Sequence, residues 1–210
     1  MDKSFAFKTA AVLCVLGLSA CSEAPNVAPP EKKSAEATAP APPPEAIAAK
    51  SAFFSMYKPA QAWASDLLPL SMVPGEAPGV KNEEGKAGMW TCIFVSPSRR
   101  EARAYTYAVV ENGSTPRGVT AEPAQVWSGA TRESQPFQLA DFMVNSDAAY
   151  KTAFEKASPW VKKHPEKKLA YSLASAARFP APVWFFMWGD RKLGFAVFVN
   201  ATTGDVIGGK

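Results

Sequence analysis

The sequence has little of the side-chain chemistry that most catalytic and metal sites need. Its 210 residues include one histidine, His164, and three cysteines, Cys14, Cys21 and Cys92. No serine-hydrolase, metalloprotease, phosphate-binding or dinucleotide-binding motif occurs, and no group of potential ligands has the spacing of a metal site. We therefore predict that the protein is not an enzyme, has no catalytic residue, and binds no metal and no cofactor.

Strong charge and a membrane-spanning run are also missing. The formal net charge is only +4, which gives no reason to expect a nucleic-acid partner. The apolar run at residues 9–20 is shorter than the about 20 residues that a transmembrane helix needs. It follows the basic residues Lys3 and Lys8 and ends in small residues. This pattern predicts a secretory signal peptide over residues 1–20.

The end of this signal is more specific than an ordinary cleavage site. Residues 18–21 read Leu-Ser-Ala-Cys, which resembles the lipobox of bacterial lipoprotein precursors. The resemblance implies that the sulfur of Cys21 receives a diacylglycerol and that acyl chains attach the protein to a membrane. Ser22 rather than Asp follows, and by resemblance to enteric lipoproteins this favours the periplasmic face of the outer membrane. The alternative is a chance cysteine beside an ordinary cleavage site.

The three cysteines then have separate fates. Cys14 leaves with the signal, Cys21 is lipidated, and Cys92 alone stays free. The mature chain can form no intramolecular disulfide. Its fold must therefore be stabilised by a hydrophobic core.

Residues 21–50 are predicted to be the lipidated cysteine followed by a disordered linker. Residues 22–50 contain seven prolines, nine alanines and no aromatic residue. Such a segment cannot bury enough apolar surface to fold, and proline keeps it extended. We interpret it as a tether that holds the folded part away from the membrane. A proline-rich recognition motif is the alternative.

The remaining 160 residues carry an internal similarity with a spacing of 93 residues. The Tyr-Lys pair at 57–58 recurs at 150–151, and the segment around Trp90 parallels the one around Trp184. Each copy opens with the apolar stripe of a helix and continues in β-branched and aromatic runs separated by turn residues. The sequence therefore predicts an α+β fold of two repeats, each a helix followed by an antiparallel meander.

These features divide the folded part into three segments. The first repeat spans residues 51–113, a connecting segment spans residues 114–143, and the second repeat spans residues 144–210. In the connecting segment, Phe137, Leu139, Phe142 and Met143 are expected to pack onto the domain. Its beginning, STPRGVTAEP, is expected to be exposed loop.

The second repeat resembles the PepSY-like domains of bacterial envelope proteins. The resemblance rests on the strand around Trp184 and on the ending F-V-N-A-T-T-G-D-V-I at 198–207, which is similar to the family's V-D-A-x-T-G-x-V tail. Asn200 stands where the family usually has Asp. The resemblance covers residues 144–208 well and residues 52–113 by analogy only. It implies binding or regulation of a protein or peptide, such as a peptidase, or a part in extracytoplasmic assembly.

The folded part offers few candidate site residues. Trp184 and Trp188 share one face of a predicted strand and could form a binding surface, although packing under a helix is the commoner role of such aromatics. Cys92 could be a nucleophile, but a free cysteine on an apolar strand is usually a buried hydrophobe. We interpret His164 as a solvated helix cap. The lysines of 162–168 suit a solvated turn, or a contact with lipid head groups or peptidoglycan.

Three functions remain open on the sequence. The leading hypothesis is a lipid-anchored envelope protein that binds a protein or peptide partner at a sheet edge or in a groove between the repeats. The second is a scaffold or subunit of an envelope complex, a role that the long tether would suit. The third is a thiol enzyme built on Cys92.

Overall fold

Two α-helices and eleven β-strands occur in residues 43–209, the part of the chain that the computed structural model describes. The helices are α1, Ala49–Trp63, and α2, Ser146–Val161. The strands are β1 Ile47–Ala48, β2 Leu68–Gly75, β3 Lys86–Ala87, β4 Met89–Ser96, β5 Glu101–Ala108, β6 Gly118–Ala121, β7 Gln125–Val126, β8 Leu169–Ala174, β9 Val183–Gly189, β10 Gly194–Asn200 and β11 Val206–Gly209. The α+β class predicted from the sequence is confirmed.

Nine of these strands form one continuous antiparallel sheet. Its order is β11-β10-β9-β8-β2-β4-β5-β6, and β7 pairs with the first residues of β5. The strands that follow α1 lie on one side of the β2–β8 contact, and those that follow α2 lie on the other. The two separate meanders expected from the sequence therefore merge into a single sheet. β1 and β3 form a small ladder of their own.

Both helices pack against the same face of the sheet. α1 lies on β4 and β5, α2 lies on β9 and β10, and the helices touch each other. Side chains alternate between the two faces of a strand, so every second residue of β4 and β9 reaches the helices. The largest fully buried side chains of this core are Phe53, Met56, Met72, Trp90, Phe94, Tyr105, Phe142, Leu173, Trp184 and Phe186.

The helices begin side by side and share the capping residues of α2. The Oδ1 of Asn145 accepts hydrogen bonds from the backbone N–H groups of Ser146 and Lys50, both at 2.9 Å. The Oγ of Ser146 accepts from the N–H of Ala49 at 2.8 Å. The N-cap residue of α1 is Ala48, whose side chain has no acceptor. The first turn of α1 is therefore capped by residues that lie about a hundred positions later in the chain.

Regular secondary structure begins before residue 51, the predicted first residue of the first repeat. Ile47 and Ala48 pair with β3, α1 starts at Ala49, and Ala49 is fully buried. Composition alone misplaces this boundary, because the small side chains of an alanine-rich segment fit where two helix ends meet. Residues 47–50 thus belong to the fold and not to the tether.

The two helices correspond at a spacing of 97 residues, not 93. Counted from the first residue of each helix, Phe53 takes the place of Tyr150, and Tyr57 takes the place of Phe154. The rings of each pair are stacked, with centroids 5.6 Å apart in both helices. The alignment of the two Tyr-Lys pairs is therefore wrong, because it joins residues from different turns of the helices.

Two expectations for the connecting segment need correction. Phe137 and Phe142 are buried as predicted, but Met143 is 59% exposed, because Phe142 beside it takes the inward position. The stretch expected to be exposed loop contains β6, which pairs with β5 along Gly118–Ala121.

Candidate functional site

The predicted lipidation site lies outside the part of the chain that the structure describes. Cys21, the signal peptide and linker residues 22–42 all precede residue 43, so acylation of Cys21 stays a prediction. Within residues 43–209, no helix is long and apolar enough to cross a membrane.

Trp184 and Trp188 do not form a binding surface. Their exposed fractions are 0% and 4%. The Nε1 of Trp184 donates to the carbonyl of Val144 at 2.9 Å, and the ring of Trp188 packs on Tyr150 and Phe154 of α2. The binding surface predicted at these two residues is wrong, because α2 covers this face of β9.

Cys92 is a core residue. It is 1% exposed and shares the helix-facing side of β4 with Trp90 and Phe94. Burial raises the pKa of its thiol well above the ordinary value. The protonated thiol is a poor nucleophile, and no substrate can reach it in this fold.

His164 and the acidic residues show no metal-binding arrangement. Across residues 43–209, no three side chains of the types His, Cys, Asp and Glu are grouped so that they could hold an ion. His164 follows α2, its ring centroid lies 4.4 Å from that of Trp160, and its Nδ1 lies 3.9 Å from a carboxylate oxygen of Glu166. Its side chain is 43% exposed, which agrees with a solvated position at a helix end.

A cleft opens where the two halves of the sheet meet. We call the contact between β2 and β8 the seam. Only two residue pairs join the strands there, Ser71 with Ala174 and Met72 with Leu173. β2 continues for three residues beyond these pairs, and β8 begins four residues before them. Over this stretch the strands separate and leave a cleft of about 640 Å³, which we call the seam cleft.

The seam cleft has two strand walls and a loop wall. Val73, Pro74 and Gly75 line it from β2, residues 168–171 line it from the other strand, and residues 80–85 form the loop. The loop is held to the sheet by Asn82. Its Nδ2 donates to the carbonyl of Gly75 at 2.9 Å, and its Oδ1 accepts from the N–H of Gly88 at 3.0 Å.

Backbone groups of β8 point into the seam cleft. The N–H of Gly189 donates to the carbonyl of Lys168 at 2.9 Å. In this register, Ala170 is the next residue whose backbone groups bond to β9. Because the bonding direction alternates along an antiparallel strand, the N–H and C=O groups of Leu169 and Tyr171 point away from β9 and toward the cleft. Pro74 on the opposite wall has no N–H to offer them. The cleft therefore presents the hydrogen-bonding pattern of an open sheet edge.

At the other end of the seam, the chain fills the gap between the same two strands with its own backbone. The N–H of Gln135 donates to the carbonyl of Ser175, and the N–H of Phe137 donates to the carbonyl of Pro69, both at 3.0 Å. The N–H of Ala177 donates to the carbonyl of Arg132 at 2.9 Å. The segment at residues 132–137, which bends at Arg132 and Glu133, thus bonds to both sides of the seam. Pro69, like Pro74, stands where β2 leaves β8.

The rim of the seam cleft carries charges of both signs. Glu76, Glu83 and Glu84 stand with Lys81 and Lys168. Lys81 and Glu83 form an exposed ion pair at 3.0 Å, and such pairs contribute little. Recognition by charge is therefore weak here, and the backbone groups are the distinctive chemistry of the cleft.

Comparisons with known proteins give limited information. No protein-family model matches the chain, and no curated protein matches it. A crystal structure of a "putative lipoprotein" from Clostridium difficile 630 shows a likeness at 10% sequence identity and a TM-score of 0.42. The likeness covers 75% of this chain and 91% of that chain. At this TM-score it supports no inference about function.

Proposed function

We propose that the protein is a lipid-anchored, non-enzymatic module of the bacterial envelope that binds an extended segment of a protein or peptide partner in the seam cleft. The unfinished pairing of β2 and β8 carries this proposal. One end of the seam holds residues 132–137, and the other end offers the same kind of gap without an occupant from residues 43–209. A partner strand added to a sheet gains affinity from main-chain hydrogen bonds and specificity from side-chain pockets.

The bound segment completes the seam by backbone pairing. The N–H groups of Leu169 and Tyr171 donate to its carbonyls, and the carbonyl of Pro74 accepts from its N–H. Val73, which is 43% exposed, offers it an apolar contact. These bonds need an extended segment but no particular sequence, so specificity comes from the loop wall and the rim.

The anchor in this proposal is Cys21, acylated at the periplasmic face of the outer membrane. Acyl chains hold a protein on a bilayer without a spanning helix, provided that more than one chain is attached. A Cys21→Ala variant should leave the membrane fraction and lose labelling by fatty acid. Cys14→Ala, which changes a cysteine inside the signal, is the matched control and should be labelled as the parent is. Equal labelling of the Cys21→Ala variant would contradict the anchor.

The two halves are further proposed to be diverged copies of one PepSY-like unit. Three features support this origin: the same order of helix and strands on each side of the seam, the same stacking of two aromatic rings on each helix, and a tryptophan in each half that bonds to the chain just before its helix. A unit of this kind would carry its family's association with peptide partners into both halves.

Site-specific crosslinking in cells tests the cleft. A photoreactive amino acid is placed at Val73 in the cleft or, as the control, at Lys58 on the exposed side of α1. We expect a defined adduct from Val73 and none from Lys58. The adduct should disappear when Ala170→Trp fills the cleft from the opposite wall. Persistence of the adduct in that variant, or the same adduct from Lys58, would show that the partner binds elsewhere.

Hydrogen exchange then tests the mode of binding. With the partner identified from the adduct, the backbone amides of Leu169 and Tyr171 should exchange more slowly in the complex than in the free protein. The amide of Ala170 bonds to β9 in either state and is the internal control. Unchanged exchange at Leu169 and Tyr171 in a saturated complex would rule out strand addition at the seam.

A further inference from the structure

A cluster of basic side chains lies at the end of the molecule formed by the turn after α2 and the β9–β10 hairpin. Two carboxylates, Glu166 and Asp190, accompany six cations, so positive charge dominates. We call this cluster the basic tip; its cations are Lys162, Lys163, Lys167, Lys168, Arg191 and Lys192.

Backbone and ring contacts bring the two segments of the basic tip together. The N–H of Gly189 bonds to the carbonyl of Lys168, and the ring of Trp160 on α2 stacks on that of Phe195 on β10, with centroids 6.1 Å apart. A hollow of about 480 Å³ between them is lined by Trp160, His164, Glu166 and Lys167 of one segment and by residues 192–194 of the other. Lys167 and Lys192 thus line one hollow, and the other four cations belong to the two segments that form it.

The carboxylate of Asp190 shapes the hairpin. Its Oδ1 accepts from the N–H groups of Lys192 at 2.8 Å and Leu193 at 2.9 Å. The hydrogen bond from Leu193 and then that from Lys192 hold the pKa of Asp190 below its ordinary value, and the charge of Lys167 acts in the same direction. Asp190 therefore holds the turn in the conformation that presents Leu193.

Leu193 projects from this basic surface. It lies in the turn before β10, which begins only at Gly194, and it is 69% exposed. Arg191 and Lys192 precede it directly, and both are exposed. An apolar side chain among cations suits the boundary of a bilayer, where the cations meet anionic head groups and the apolar group enters the acyl region.

We propose that the basic tip docks on the surface of an anionic phospholipid bilayer and that Leu193 inserts among the lipid head groups. Peptidoglycan also carries negative charge, but its carboxylates offer nothing to an exposed leucine. The docking surface is separate from acylation of Cys21 and goes beyond the proposed peptide binding. It would give a tethered domain a preferred orientation on the membrane.

The opposite hairpin supplies a matched control. β4 and β9 run in opposite directions, so the β4–β5 hairpin lies at the other end of the sheet. It carries Arg99 and Arg100, both exposed, and Val126 of β7, which is 88% exposed, pairs with Glu101 beside them. A membrane that contacts the basic tip cannot contact this hairpin as well.

Vesicle sedimentation tests the docking. The mature chain, residues 21–210 with Cys21→Ala to remove the anchor, is mixed with vesicles of phosphatidylcholine alone or with added phosphatidylglycerol. We expect binding to the anionic vesicles only, weakened by salt. Lys192→Ala should lower the partition coefficient roughly fivefold, Leu193→Ala should also lower it, and Arg99→Ala should leave it unchanged. Lys168 is not substituted, because it also lines the seam cleft.

Three outcomes would overturn this proposal. They are equal binding to both kinds of vesicle, an equal loss from Arg99→Ala and Lys192→Ala, and sedimentation with purified peptidoglycan but not with anionic vesicles. All three substituted side chains are exposed, and far-ultraviolet circular dichroism checks that each variant keeps the fold.

Discussion

The two halves of the sheet make the same hydrogen bond on the face that the helices cover. They carry different side chains on the face that the helices leave open. On the covered face, the Nε1 of Trp90 donates to the carbonyl of Ile47, and the Nε1 of Trp184 donates to that of Val144, each at 2.9 Å. Both carbonyls stand two residues before a helix begins. The same hydrogen bond thus fixes the entry to α1 in one half and the entry to α2 in the other.

On the open face, the strand residues next to these tryptophans differ between the halves. In the first half, Thr91 pairs across the strands with Thr106, and their hydroxyl oxygens lie 2.9 Å apart. In the second half, Phe185 pairs with Phe198, with ring centroids 5.0 Å apart. Close packing constrains a core on every side, whereas an open face tolerates change. The two halves therefore share the buried tryptophan contact, whereas this open-face pair is polar in one half and aromatic in the other.

The largest predicted effect tests the shared frame. Trp184→Phe and Trp90→Phe each remove an indole N–H from a partly buried carbonyl and leave a void. We expect each to lower the free energy of unfolding by about 2–4 kcal/mol, measured by denaturant titration. Trp127→Phe is the control, because Trp127 is partly exposed, and it should cost less than about 0.5 kcal/mol. A much smaller cost for one of the two core substitutions would show that the halves are not equivalent.

The shared cap breaks the symmetry of the halves. Asn145→Ala removes the acceptor of the first turns of both α1 and α2, and we expect a loss of about 1–2 kcal/mol. Ser51→Ala, an exposed serine in the first turn of α1, is the control and should change stability by less than about 0.5 kcal/mol. Hydrogen exchange should show the first turn of α1 loosening together with that of α2. Loosening of α2 alone would show that α1 does not depend on this cap.

The two open-face pairs should differ in a smaller way. In double-mutant cycles with alanine, we expect a coupling of about 0.5–1.5 kcal/mol between Phe185 and Phe198, and a smaller one, about 0.2–1 kcal/mol, between Thr91 and Thr106. Arg178 lies over the ring of Phe198, 5.5 Å from its centroid. The coupling energy between Phe185 and Phe198 should therefore be smaller in an Arg178→Ala background. Equal coupling energies for the two pairs would show that the aromatic pair stabilises the open face no more than the threonine pair does.

The sequence predicts the elements of this fold better than their arrangement. The runs that form β4 and β9 are recognisable because β-branched and aromatic residues favour strands, and both runs are strands in the structure. The face that a helix covers is not encoded locally. Period-two aromatics therefore could not show whether Trp184 and Trp188 face solvent or the core.

A groove between the repeats is expected from the sequence, but the residues that line the seam cleft cannot be identified from it, for a related reason. The pairs that form the seam lie about a hundred residues apart in the chain, and nothing near Ser71 or Ala174 specifies the partner. One signal was available: Pro69 and Pro74 both interrupt the apolar run of β2, and proline inside a strand marks a place where pairing stops. That signal indicates an open edge, but not which strand lies across the gap.

The smallest predicted effect concerns the way each half shapes its hairpin. In the first half, a carboxylate from outside the β4–β5 hairpin holds its turn. Asp66 accepts from the Oγ of Ser96 at 2.6 Å and from the N–H of Ser98 at 2.8 Å. These two hydrogen bonds, first that of Ser96, lower the pKa of Asp66 from 3.8 to about 2. In the second half, Asp190 belongs to the hairpin itself, and its bonds are local.

The sign of the pH effect follows from the lowered pKa. The folded state favours the ionised Asp66, so this stabilisation is complete above about pH 4 and is lost as the pH falls toward about 2. In Asp66→Asn, the denaturation midpoint should therefore fall less steeply over this range than in the parent. The effect should be small, because Asp66 is exposed. An unchanged slope in Asp66→Asn would show that the carboxylate does not hold the first hairpin in solution, and the contrast with the local bonds of Asp190 would then be lost.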